Sequence, residues 1–265
     1  MDELARIASH QLWWCSFGMD LGGLTCFFYG LRDREKILDI FEESTGSRLI
    51  QSYYTPGGLM MDIHPNFQKG VKDFIKYFRK ILPEYDQLLT GNVIMQHRTK
   101  GVGILSLEDA INYGVTGPSG RGSGFACDVR KRHPYALYDK VDFKEPLYHE
   151  GDSLARYLVR MDEMWQSMLI IEQLIDNIPD GDFTAKMKPV IKLPEGEYYQ
   201  KVESARGEFG VYIISKGEKY PYRMKFRSPN FSNLSALNII SKNQKIADLV
   251  AIGGSLDYII PDIDR

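Results

Sequence analysis

One carboxylate stands out for its setting. Asp20 lies in Phe17-Gly18-Met19-Asp20-Leu21-Gly22-Gly23, flanked by glycines and bounded by two apolar stretches. Such an aspartate is either a solvent-facing turn or cap residue or a carboxylate pressed against a partner. In the second setting burial penalises the charge and turns the group into a proton donor or acceptor. The residue types alone leave both readings open. His10, His64, His97, His133 and His149 are scattered, with no H-E-x-x-H or i, i+4 pair, so no metal site is expected on this chain. Cys15, Cys26 and Cys127 form no C-x-x-C pair, which weighs against a structural zinc, an iron–sulphur cluster or a disulfide framework and fits a reducing compartment. The run Gly117-Pro118-Ser119-Gly120-Arg121-Gly122-Ser123-Gly124 lacks the Gly-Lys-Ser/Thr ending of a phosphate loop, and its glycines read as turn formers. Arg130-Lys131-Arg132-His133 could bind an anion or a nucleic-acid backbone, but so short a basic run reads first as a solvated face or a contact with another chain. No Ser–His–Asp arrangement can be picked out.

The elements that must position these groups are mostly helical. Leu4, Ile7, Ala8, Leu12 and Cys15 recur at helical spacing, and the first strong breaker is Gly18. Val71, Phe74, Ile75, Phe78, Ile81, Leu82, Tyr85, Leu88 and Leu89 form a clearer apolar stripe, which Pro83 should kink or split. A third stripe runs from Leu154 through Tyr157, Met161, Met164 and Met168 to Ile175. It predicts a helix that opens near Asp152 or Ser153 and stops before Pro179; its methionines read as core packing rather than a cofactor box. Between the second and third stripes, residues 101–151 are rich in Gly, Pro and aromatic residues and read as an irregular functional or partner-facing region. Within 195–227, three short runs rich in Val, Ile, Tyr and Phe, separated by Arg206-Gly207 and Lys216-Gly217, predict a small antiparallel sheet. A last helix is expected over 233–252, then a non-helical tail over 253–265.

Composition narrows the function classes. The chain has 265 residues, 43% hydrophobic and 26% charged, with 33 Lys plus Arg against 35 Asp plus Glu. That balance argues against nucleic-acid binding by bulk charge. No run approaches the roughly 18 apolar residues of a membrane helix, and the first residues lack the basic and apolar regions of a signal peptide.

Taken in order, the segments resemble the 49-kDa-type subunit of the proton-pumping NADH:quinone oxidoreductases (respiratory complex I) and of the related F420-dependent dehydrogenases. The matching residues start with Arg6-Ile7-Ala8-Ser9-His10 and Trp13, then Met19-Asp20-Leu21-Gly22. They continue through Glu108-Asp109-Ala110, Arg121-Gly122-Ser123-Gly124, Asp128-Val129-Arg130-Lys131, Gly151-Asp152 with Arg156-Tyr157, and Gly207-Glu208-x-Gly210-Val211-Tyr212. They end on Gly254-Ser255-Leu256-Asp257 and Asp264-Arg265. The likeness covers essentially the whole chain.

That resemblance implies a single α+β domain, mainly α, with a helical core like that of the nickel–iron hydrogenase large subunit and a small antiparallel β region near the C-terminus. Gly254-Ser255-Leu256-Asp257 stands where hydrogenases carry nickel-binding cysteines, so thiolate ligation is excluded there. It implies a quinone chamber bordered by Asp20, Asp257, Ile259, Asp264 and Arg265, with Asp20 matching the aspartate that pairs with a quinone-site histidine. The chain itself would bind no cofactor: quinone is a substrate, and the adjacent iron–sulphur cluster belongs to a small, cluster-bearing partner. Further implied partners are a second peripheral-arm chain of the C type and the membrane-arm component at the quinone entry. The assembly would lie peripherally on the cytoplasmic side of the membrane, or on the matrix or stromal side of an organelle membrane. The family histidine and tyrosine that contact the quinone lie upstream of the matched segment, so they are expected to be absent here. An alternative of another class is a non-catalytic scaffold remnant of the same fold.

Overall fold

A computed structural model describes residues 1–188 and 190–264. Helix α1 (Asp2–Asp20) turns through Leu21–Gly23 into α2 (Leu24–Thr45). The apolar spacing of residues 4–15 predicted α1, but the helix continues past Gly18 for a packing reason. A Cβ at Gly18 would stand 2.6 Å from the Cys26 Cβ, so its absence lets α1 and α2 close on each other. Gly46, left-handed at φ 74°, ends α2. A two-residue hairpin, β1 (Tyr54–Thr55) with β2 (Gly58–Leu59), leads to α3 (Phe67–Tyr85). Pro83 does not split this helix: α3 runs two residues past it and then widens into a π turn at Asp86–Thr90.

The region 101–151, read as irregular, is corrected in part. After α4 (Val93–Thr99) it holds three short helices: α5 (Leu107–Asn112), α6 (Gly117–Arg121) and α7 (Val129–Arg132). Two of these have aspartate or serine caps: the Ser106 hydroxyl accepts from the Asp109 N–H at 3.0 Å, and Asp128 accepts from the Arg130 N–H at 2.9 Å. Helix α8 (Ser153–Leu174) starts where expected, with Asp152 accepting from the Ala155 N–H at 2.7 Å. Its Met164 and Met168 are fully buried in the main core with Trp14, Phe78 and Tyr85.

Strands β3 (Gly196–Ser204), β4 (Gly207–Ser215) and β5 (Arg223–Arg227) form one antiparallel sheet in sequential order. The Ser204↔Gly207 pair closes a two-residue turn at Ala205-Arg206, with Gly207 at φ 133°. The single helix expected over 233–252 is three: α9 (Pro229–Ser235), α10 (Leu237–Ile240) and α11 (Asp248–Leu256). The tail expected to be non-helical from 253 contains the end of α11 and a final turn, α12 (Ile260–Ile263). The apolar positions misled here because 241–247 is a turn, with Asn243 at φ 60°, and the residues after it start a new helix. Among the described residues no helix is long and apolar enough to cross a membrane.

Candidate functional site

The C-terminal turns of α1 and the end of α11 enclose a cavity of about 460 Å³. Leu12, Trp13, Ser16, Phe17 and Asp20 line it from α1, and Leu249, Val250, Gly253 and Gly254 from α11. Arg206, from the β3–β4 turn, and the segment Asp257–Ile259 complete the wall. Gly254 sets the spacing of the two helices, since a Cβ there would come within 2.8 Å of the Phe17 ring and 3.8 Å of Asp20 Oδ2. Trp13 ties the elements together: its indole N–H donates to the Gly254 carbonyl at 2.7 Å, and its ring stacks on Phe17 with centroids 5.2 Å apart.

Two carboxylates reach this cavity. Asp20 is the last residue of α1, exposed in this chain, and partial burial raises its proton affinity. The sequence left it open between a turn or cap residue and a carboxylate pressed against a partner; Asp20 is helical, and the turn begins one residue later, at Leu21. Asp257 is buried and caps α11 in the left-handed region, at φ 54° and ψ 44°. Arg206 holds it: Nε donates to the Asp257 carbonyl at 3.0 Å and Nη2 to Oδ1 at 3.2 Å, while Nη1 donates to the Ser9 hydroxyl at 3.0 Å. Asp257 Oδ2 has no hydrogen-bond partner among the described residues.

Of the other expected chamber residues, Ile259 lines the cavity. Asp264 is exposed, follows α12 and is not part of the lining. Arg265 lies outside the described residues. The structure therefore brings together three of the five, Asp20, Asp257 and Ile259, and adds Trp13, Phe17, Arg206 and Tyr258, which sequence reasoning did not single out. The available signal was helical spacing from Asp20: Trp13, Phe17 and Asp20 lie at i, i+4 and i+7 on one face of α1.

Positive charge backs the site. Arg160 of α8 lies over the Trp13 ring at 4.6 Å and donates to the carbonyls of Ser255 and Leu256 at 2.8 and 3.2 Å. Arg156 donates to the Ser255 hydroxyl at 2.9 Å. Burial lowers the Arg160 guanidinium to about 10 and that of Arg156 to about 9, the latter helped by its Arg160 neighbour. Both nonetheless stay charged at neutral pH, Arg160 held by the carbonyls at the negative end of α11 and Arg156 by the carbonyls of Gly151 and Gly103 at 2.8 and 3.0 Å.

A second polar cluster, missed entirely from sequence, lies deeper. Glu163 accepts from Arg121 and, at 3.3 Å, from Arg130, and its other oxygen meets His10 Nε2 at 2.8 Å. Glu203 accepts from Arg121 at 2.8 Å; Glu3 accepts from Arg6 and Arg130, both at 3.2 Å. Arg130, read as part of a solvated basic run, is fully buried and paired at 2.7 Å with Asp128. Burial alone would raise Glu163, yet Arg121, His10 and Arg130 hold it well below the usual carboxylate range. Burial pulls the proton affinity of the His10 imidazole down, against the hydrogen bond and charge of Glu163 that raise it. No group of three or more His, Cys, Asp or Glu that could hold a metal ion occurs among the described residues.

The family model for the respiratory-chain NADH dehydrogenase 49 Kd subunit matches residues 20–191 and 183–265. A C/D-type NADH-quinone oxidoreductase subunit of Phocaeicola vulgatus is 62% identical over the whole of this chain, which covers 51% of that protein. The D-type NADH-quinone oxidoreductase subunit of Desulfotalea psychrophila is 51% identical over 99% of this chain and 71% of its own length. That of Syntrophobacter fumaroxidans is 47% identical, with 71% of it covered. The chain thus spans about half the length of the C/D-type relatives it matches. With the family model matching nearly end to end, the chain belongs to the respiratory-chain NADH dehydrogenase 49 Kd subunit family.

Proposed function

We propose that the chain works as part of an NADH-, F420H2- or ferredoxin-dependent quinone oxidoreductase, and that the cavity between α1 and α11 is its share of the quinone chamber. One observation carries the reading: an apolar, aromatic-walled cavity of about 460 Å³ with two carboxylates at its edge. Its volume falls in the range of small-molecule sites, and its Trp13 and Phe17 faces suit a flat ring. That the relatives are named NADH-quinone oxidoreductase subunits supports it.

In this reading Asp20 assists protonation of the reduced headgroup by stabilising an imidazolium supplied by a residue outside these 265. The iron–sulphur cluster that delivers electrons is held by a small partner chain, and a C-type chain and a membrane-arm component pack nearby. The helical core is of the hydrogenase large-subunit type, and the complex sits peripherally on a membrane and couples electron transfer to proton translocation.

The test is Asp20→Asn in the assembled complex, comparing quinone reduction with reduction of an artificial acceptor that draws electrons upstream of the quinone. The expected result is a strong loss of the first with the second retained. Equal loss of both makes Asp20 structural, and no loss of either removes it from the chemistry and favours a scaffold role.

A further inference from the structure

Resting on the quinone reading above, we propose that Tyr258 is a quinone-binding residue, its hydroxyl donating a hydrogen bond to one carbonyl oxygen of the headgroup in the α1–α11 cavity. The fold brings the phenol there in three steps. Asp257, left-handed at φ 54°, turns the chain back at the end of α11. Arg206 fixes the peptide that leads into Tyr258 by donating to the Asp257 carbonyl at 3.0 Å. Gly253 then makes room. A Cβ there would stand 3.2 Å from the Tyr258 hydroxyl oxygen, tighter than ordinary contact, so the phenol lies against bare helix backbone. The next residue, Gly254, does the same for Asp20, whose Oδ2 would be 3.8 Å from a Cβ at that position. Phenol and carboxylate therefore stand over consecutive positions of one helix end, and all four residues line the same cavity.

The hydrogen-bonding inventory of the wall singles out this hydroxyl. A quinone offers two carbonyl oxygens and no donor, so only donors can recognise it. The Trp13 N–H is spent on the Gly254 carbonyl at 2.7 Å, and the Ser16 hydroxyl on the Leu12 carbonyl at 2.9 Å. Each Arg206 nitrogen already donates, to Asp257 or to Ser9. Asp20 and Asp257, when ionised, only accept. Among the described residues Tyr258 is the lining side chain whose donor makes no hydrogen bond. It is half-buried, its ring packed on the apolar cluster that includes Ile252 and Leu256, while its hydroxyl oxygen keeps access to solvent. As electrons arrive, negative charge gathers on the quinone oxygens, and an O–H bonded to one of them gains strength. Tyr258 keeps its own proton throughout, and protonation of the reduced ring stays with Asp20 and its imidazolium partner.

The experiment uses the assembled complex with ubiquinone-1 as acceptor, with rates normalised to flux into an artificial upstream acceptor. Tyr258→Phe removes the hydroxyl and keeps the ring that packs on the core. The KM for ubiquinone-1 should rise roughly three- to tenfold, as expected for loss of one neutral hydrogen bond, while upstream flux is retained. Infrared difference spectra with ubiquinone-1 isotope-labelled at one carbonyl or the other supply a readout that packing alone would not move. One carbonyl stretch, lowered by the hydrogen bond in the native complex, should return toward the free-quinone value in Tyr258→Phe. An unmoved carbonyl band, or equal loss of quinone reduction and upstream flux, overturns the proposal. Leu249→Trp, which fills the cavity, separates the two readings. If it leaves the KM for ubiquinone-1 unchanged, quinone does not bind here, and the underlying reading fails together with this one. If it raises the KM while Tyr258→Phe moves neither the KM nor the carbonyl band, the chamber stands and the role of Tyr258 falls.

Discussion

At the first turn of α1, Glu3 accepts from Arg6, Arg130, Ser167 and Tyr138; at its last turn, Asp20 meets no charged partner among the described residues. The same contrast separates the two polar regions as wholes. In the deep cluster four carboxylates, Glu3, Asp128, Glu163 and Glu203, interlock with the guanidinium groups of Arg6, Arg121 and Arg130, all nearly inaccessible. Around the cavity the carboxylates keep spare lone pairs. A buried charge is tolerable only when its partners surround it. The carboxylates of the deep cluster are all paired within it, with Arg121 Nε and His10 Nδ1 left without a partner among the described residues, and the cluster joins α1, α6, α7, α8 and β3. The cavity has kept capacity in reserve. Charge buried without reserve builds the fold, and charge with reserve is available to a ligand.

The harshest way to break this contrast is Glu163→Gln. The amide keeps the shape but leaves Arg121 and Arg130 short of a counter-charge inside the core. Breaking a buried pair from one side costs about 3–5 kcal/mol. Urea unfolding should show the midpoint fall with an unchanged slope, and a loss below about 1 kcal/mol would mean that water reaches the cluster.

Acid should find the same cluster. Arg6 and Arg130 overcome the effect of burial and lower the Glu3 carboxyl to about 2, from an unfolded value near 4.5. A depressed carboxyl contributes stability that is complete above the unfolded value and is lost as pH falls through the folded one. Between about pH 4.5 and 2 Glu3 should therefore give up on the order of 2–3 kcal/mol. Glu203 runs the other way, because burial raises it, and so it partly offsets the loss. Unfolding free energies measured from pH 6 to pH 3 should slope less steeply in Glu3→Gln than in the native chain. Identical slopes would place the acid sensitivity elsewhere.

How much of this was legible in the sequence depends on what each residue faces. Helices α1 and α8 and the three-stranded sheet follow from apolar periodicity, because each buries one stripe or face. Helix α2 escaped notice because its middle turns, Arg32-Asp33-Arg34-Glu35-Lys36, look solvated. Yet Asp33 is fully buried there, accepting from Tyr77 and Tyr85 of α3 at 2.5 and 3.0 Å. Arg130 and Glu163 escaped for the same reason, since charged types read as surface unless their partners are known. Those partners lie 127 and 42 residues away, as for Arg130 with Glu3 and Glu163 with Arg121. Asp20 was found through its glycine frame and its resemblance to a family motif, whereas Arg206 became visible only when the β3–β4 turn was seen to reach Asp257.

A milder test works at the cavity wall. Arg206→Gln removes an ion pair that is partly open to solvent, together with the donor that caps the Asp257 carbonyl. The pair is worth little in such a setting and the charged hydrogen bond somewhat more, so the loss should be about 1 kcal/mol. A loss as large as that of Glu163→Gln would erase the distinction between the two regions.

The smallest effect on stability, and the most informative, is that of Asp20→Asn. Asp20 occupies the last turn of α1, where no basic residue offsets the negative end of the helix. A carboxylate there is repelled by the unpaired carbonyls, at a typical cost of about 0.3–1 kcal/mol. Partial burial adds to that by raising its proton affinity, so its ionised form is held against the local preference. Asn is nearly isosteric, carries no charge and is tolerated at helix ends. The variant should therefore be as stable as the native chain or more stable by about 0.5 kcal/mol, with a thermal midpoint unchanged or slightly raised. Its advantage should shrink as pH falls and Asp20 takes up its proton, because the difference lies in the charge. A midpoint lowered by several degrees would show that Asp20 has a structural partner and belongs with the locked carboxylates. A neutral or raised midpoint combined with lost quinone turnover would identify Asp20 as a charge retained at some cost to the fold, as a ligand-facing carboxylate at this cavity should be.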